Sequence, residues 1–118
     1  MKFKIKEDRD DVVQVSIEGC LNQQDVAPPI DPIRALLGPS AYQKTVLLDM
    51  RDSSYLDSLC IGWLLSCHKR FREQGGKLVI HSLPTVAANV ISLLRLNTVF
   101  QMADDSEKAL QLARGEVA

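Results

Sequence analysis

Apolar and polar positions alternate at the start of the chain, and the period then changes. Phe3 and Ile5 stand between Lys2, Lys4 and Lys6. Val13, Val15 and Ile17 stand between Gln14, Ser16 and Glu18. Period two marks strands with one apolar face, and the charged stretch from Glu7 to Asp11 predicts a turn between them, so the two read as an antiparallel pair. Pro28 and Pro29 then forbid a regular helix. Asp31-Pro32 restarts one, with Asp31 as N-cap, Pro32 in the first turn and Ile33, Leu36 and Leu37 on the apolar side; Gly38-Pro39 stops it. From Lys44 to Met50 the pattern becomes a nearly continuous apolar run, the signature of a strand covered on both faces. After a polar loop, Arg51 to Tyr55, helical spacing runs from Ser58 to about Gln74, where Gly75-Gly76 ends it.

The remainder repeats the alternation of strand and helix. Lys77 to Ile80 reads as a second buried strand, and Val86 to Leu94 or Leu96 as a helix entered through Leu83-Pro84-Thr85. Val99, Phe100 and Met102 read as a last short strand. Asp105 or Ser106 caps a final helix carrying Ala109, Leu110, Leu112 and Ala113, and residues 115–118 form a fraying tail. The order β-β-α-β-α-β-α-β-α predicts a single α/β domain over residues 1–118. Its central sheet is mainly parallel, residues 1–11 supply an antiparallel edge strand and turn, and about four helices cover it.

Composition narrows the function classes. The chain has 118 residues, enough for one core, and with 5% aromatic residues that core is built from aliphatic side chains. A net charge of -1 gives no general attraction to nucleic acid or to an anionic membrane. No apolar run is long enough to span a bilayer, and the lysine-rich start lacks a signal peptide's apolar stretch, so the expected location is the cytoplasm. Cys20, Cys60 and Cys67 are odd in number, and Cys60 and Cys67 lie roughly 10 Å apart along one helix, too far to bridge. Reduced, buried thiols are expected. Cys60, Cys67 and His68 do not reach a metal-ligand spacing, and His81 alone at a strand end does not define a site. No phosphate-cradling loop, carboxylate pair or nucleic-acid motif is present, so neither enzyme activity nor a cofactor is expected.

Candidate chemistry gathers where the central strand feeds the long helix. Asp57 and Ser58 sit at the predicted helix N-terminus, where first-turn amides lack intrahelical partners and the helix dipole favours negative charge. They suit an ordinary N-cap, the commoner case, and the same place also suits an anion, including a phosphate on Ser58. On a helical wheel Cys60, Ile61, Leu64, Leu65, Cys67, His68 and Phe71 form the core side. Leu59, Trp63, Ser66 and Arg70 fall opposite, with Gly62 and Lys69 beside them. Leu59 and Trp63, one turn apart, make an apolar pair on the polar side; either a partner protein covers it or a loop such as 27–30 does.

The ordered set Gly19-Cys20-Leu21-Asn22, Val46-Leu47-Leu48-Asp49-Met50, Leu56-Asp57-Ser58, Ile61-Gly62 and Gln74-Gly75-Gly76-Lys77-Leu78 resembles the STAS domain family, in particular the bacterial anti-sigma-factor antagonists, over about Val12 to Ala113. The resemblance implies a regulatory protein-interaction module without catalysis. It further implies that Ser58 is the residue phosphorylated by a serine kinase that is itself the anti-sigma factor. The candidate partner surface is Asn22, Asp57, Leu59, Gly62 and Trp63, with Leu59 and Trp63 taken from the wheel independently of the resemblance. Two departures stand out: Leu59-Cys60 follows Ser58 where antagonists carry Ser or Thr and then Gly, and Asn22 replaces the turn aspartate. The alternatives are a constitutive STAS scaffold or transport-associated subunit with Ser58 as a plain cap, a homodimer formed through the Trp63 side, and a small-ligand binder or enzyme with a pocket lined by His81 or Cys20.

Overall fold

The computed structural model describes residues 2–9, 12–18, 32–52 and 58–114. Five strands form one sheet in the order β1-β2-β3-β4-β5. They are β1 (Lys2–Arg9), β2 (Val12–Glu18), β3 (Thr45–Asp49), β4 (Lys77–His81) and β5 (Gln101–Ala103). β1 pairs antiparallel with β2, and every later pair is parallel. Among the described residues four α-helices connect or follow the strands: α1 (Pro32–Leu37), α2 (Ser58–Gln74), α3 (Thr85–Leu93) and α4 (Ser106–Ala113). The expected α/β architecture with an antiparallel edge is therefore the observed one. The turns at 19–22 and 53–57, the prolines at 28 and 29, the Asp31 cap and the 115–118 tail lie outside the described residues.

Strand periodicity sorts the core into two layers. Val13, Val15, Ile17, Val46, Leu48, Leu78 and Ile80 pack with Ile33 of α1, Ile61, Leu64, Cys67 and Phe71 of α2, and Ala87 and Ile91 of α3. On the opposite face Leu47 and Val79 pack with Ala109 and Ala113 of α4. Burial on both faces explains why 46–50 reads as an apolar run.

Differences from the sequence reading have local causes. The last strand starts at Gln101 and not at Val99, because Arg95 takes a left-handed conformation (φ 58°) and the chain spends Leu96–Thr98 on a 3-10 turn. Val99 is left exposed, while Phe100 drops into the core. Of the two candidate caps on α4, Asp105 does the work: its carboxylate accepts the Lys108 amide at 2.8 Å. Ile5, expected on an apolar face, is 44% exposed on the sheet edge.

Candidate functional site

α2 begins where the sequence placed it, with Ser58 as its first residue, at the carboxyl end of β3. In open α/β sheets this edge is where ligands and partners are met. Ser58 and Leu59 are placed by their backbone, as the first two residues of the helix. Asn22 and Asp57 lie outside the described residues. Gly62, one turn past Ser58, is exposed, and among the described residues nothing lies within 4 Å of where a Cβ on it would stand. Trp63 is half-buried and packs against the main core from its margin, so it is not the fully outward side chain that a wheel of the helix suggests. Ser66, Lys69 and Arg70 are exposed, while Ile61, Leu64, Cys67 and Phe71 face the sheet as expected; Leu65 and His68 are half-buried at the border.

The other end of α2 is built differently. Gly75 takes φ 86°, and the Gly76 amide donates to the Phe71 carbonyl at 2.9 Å, closing a Schellman stop. A Cβ on Gly76 would run into the carbonyls of Tyr42 and Lys44 and the Phe71 ring. Phe71 in turn meets Tyr42 edge-to-face, with centroids 5.0 Å apart. The double glycine is thus a packing requirement.

At the carboxyl ends of the strands, on the face that α4 covers and opposite α2, lies a row of buried polar residues that the sequence did not bring together. In register across the sheet, Ser16 of β2 neighbours Asp49 of β3, which neighbours His81 of β4. All three are buried. Asp49 accepts from Lys6 Nζ at 2.9 Å through Oδ2 and from the Arg51 amide at 2.9 Å through Oδ1. Burial by itself raises the Asp49 pKa, but these two hydrogen bonds and the Lys6 charge outweigh it and hold the carboxyl below its ordinary value. His81 Nε2 lies 2.7 Å from Gln14 Oε1 and Nδ1 2.8 Å from Ser82 Oγ. Since Gln14 Oε1 only accepts, Nε2 carries the proton and the Ser82 hydroxyl donates to Nδ1. Burial pushes the His81 pKa down, against the pull of Asp49. The ring is a neutral structural group with no exposed surface, not a residue presented to a ligand.

Arg51 and Asp52 are exposed, as the polar loop read from Arg51 predicts, whereas Asp49 just before it is interior. The signal was a carboxylate closing an otherwise apolar strand. Cys67 is a buried thiol, and His68 packs edge-to-face on Phe100 with centroids 5.7 Å apart. Among the described residues no three His, Cys, Asp or Glu side chains gather as metal ligands. No helix among them is long and apolar enough to cross a membrane.

A family profile described as Mlab, STAS domain matches residues 5–113. Solved structures share the fold. A Thermotoga maritima protein assigned as an anti-sigma factor antagonist superposes with a TM-score of 0.78 at 22% identity, over 96% of this chain and 93% of its own. An anti-sigma factor antagonist from Mycobacterium paratuberculosis gives 0.70 at 22% identity, over 96% and 95%. The anti-sigma factor antagonist SpoIIAA, in its unphosphorylated form, gives 0.66 at 19% identity, over 97% and 99%. At these identities the likeness is one of fold.

Proposed function

The chain belongs to the STAS domain family, and from that premise we propose that it is a regulatory protein-interaction module of the anti-sigma-factor-antagonist kind. Its contact surface is the N-terminal end of α2, and its switch is phosphorylation of Ser58 by a partner serine kinase. It catalyses nothing itself. The observation that carries this reading is Gly62. Glycine inside a helix costs about 0.5–1 kcal/mol relative to alanine. Here no atom of the described residues forbids a side chain, and the position is exposed one turn from Ser58. A bare stretch of helix backbone beside the phosphorylatable residue suits close approach by another protein. A phosphate on Ser58 would add about -1.5 to -2 charge to that surface, favoured by the helix dipole but fatal to a partner shaped for a neutral hydroxyl. The first turn of α2 contains no acidic residue, so Asp57, just before Ser58 in the chain, is the one adjacent carboxylate a phosphate would meet.

The test is affinity capture from native lysate with wild-type, Ser58→Ala and Ser58→Glu baits. The switch reading predicts an ATP-binding serine kinase captured by the first two and lost with Ser58→Glu. The same partners on all three baits would make Ser58 a plain cap and the protein a constitutive scaffold.

A further inference from the structure

Lys6 occupies an irregular position on the edge strand. The β1–β2 register runs Phe3 to Ile17, Lys4 to Ser16 and Ile5 to Val15, then resumes with Glu7 opposite Gln14. Lys6 is the extra residue, a β-bulge. A bulge re-aims the side chain it carries. Here the Lys6 ammonium passes over β2 and reaches Asp49 on β3, two strands away and 43 residues along the chain. Ser16, the β2 residue paired with Asp49, stands opposite Lys4, two residues before the bulge. Its hydroxyl is buried and has no hydrogen-bond partner among the described residues.

The target of that reach is the last residue of β3. Asp49 grips Lys6 with one oxygen and the Arg51 amide with the other, while the Met50 amide donates to the His81 carbonyl at 3.0 Å. Strand exit is thereby tied to β1 on one side and β4 on the other. Six residues, 52–57, then lead to Ser58.

We infer that Lys6 is a positioning residue for the N-terminal end of α2: through Asp49 the bulged edge strand holds the departure of the chain toward Ser58, so that β1 governs how well the contact surface is formed. This rests on the reading of that surface as the partner site. An event at β1 that displaces Lys6 would loosen the first turn of α2 without touching Ser58.

The test is amide hydrogen exchange followed by NMR on the intact chain, for wild type, Lys6→Met and Lys6→Arg. Gly62 and Trp63 are the reporters, because their amides close the first helical turns onto Ser58 and Leu59. Val79 in β4 and Ala109 in α4 are the references. Lys6→Met keeps the stem and removes the charge. It is expected to speed exchange at Gly62 and Trp63 about tenfold while leaving Val79 and Ala109 unchanged, and Lys6→Arg is expected to restore the wild-type rates. Unchanged exchange at Gly62 and Trp63 would overturn the inference. So would an equal rise at all four amides, which marks a general loss of stability. Capture with Ser58→Glu leaves the Lys6–Asp49 pair intact, so it tests the functional reading separately.

Discussion

The two ends of α2 each carry a glycine, and they are there for opposite reasons. At the C-terminal end Gly76 is demanded from within: the backbone of the Tyr42–Lys44 segment and the Phe71 ring occupy the space where a side chain would go. At the N-terminal end no described residue demands Gly62, and the helix would be better served by alanine. One glycine is explained by the fold. On the proposed reading the other keeps a surface clear one turn from Ser58. The difference separates residues that make the domain stable from residues that make it useful, and it can be attacked from either end.

The largest effect is expected at the packed end. Gly76→Ala forces a methyl into two carbonyl oxygens and a ring, none of which swings away freely, and should cost about 3 kcal/mol or more. Chemical denaturation checks this. A cost under about 1 kcal/mol would show that the segment yields and would erase the contrast.

A smaller effect separates the ends by charge. The C-terminal stop is closed by a backbone hydrogen bond, whereas the strand exit before Ser58 is held by the Asp49 carboxylate and by the carbonyl of His81, whose ring is itself titratable and buried. The folded His81 has a pKa below its unfolded value of about 6.5, so the unfolded chain binds more protons as pH falls through that value. Stability is therefore full above pH 6.5 and declines below it. At pH 5.5 the loss from this group is at most about 1.4 kcal/mol. The depressed pKa of Asp49 acts in the same direction at lower pH, its contribution being lost as pH falls from the ordinary carboxylate range through the folded value. Denaturation midpoints at pH 7.5 and 5.5 should differ in wild type, and the difference should shrink in His81→Gln.

Much of this was legible in the chain. The bounds of α2 follow from helical spacing between a polar loop and a double glycine, and β3 and β4 follow from short apolar runs. Local signals of that kind survive folding because the same residues form the element and bury it. The polar row was not legible. Lys6 meets Asp49 across 43 residues and Gln14 meets His81 across 67, and no local period announces such pairs. The bulge was hidden because Lys2, Lys4 and Lys6 alternate as though the strand were regular. Trp63 sits at the border of the apolar side of α2, where a wheel forces a choice between inside and outside that the packed helix does not make. Val99 and Phe100 read as strand because β-branched and aromatic residues favour one, but the left-handed Arg95 and the turn after it use those positions to bring Phe100 into the core.

The smallest effect on stability bears on the central claim. Gly62→Ala should raise stability by about 0.5–1 kcal/mol, since it adds a good helix former where there is room. The decisive measurement is how much of the kinase held by the wild-type bait remains on a Gly62→Ala bait at equal loading. The account predicts that most of it is lost although the bait is more stable, because the methyl stands between the partner and the helix backbone. Undiminished capture by the stabilised variant would contradict it and leave the N-terminal face of α2 without a partner role.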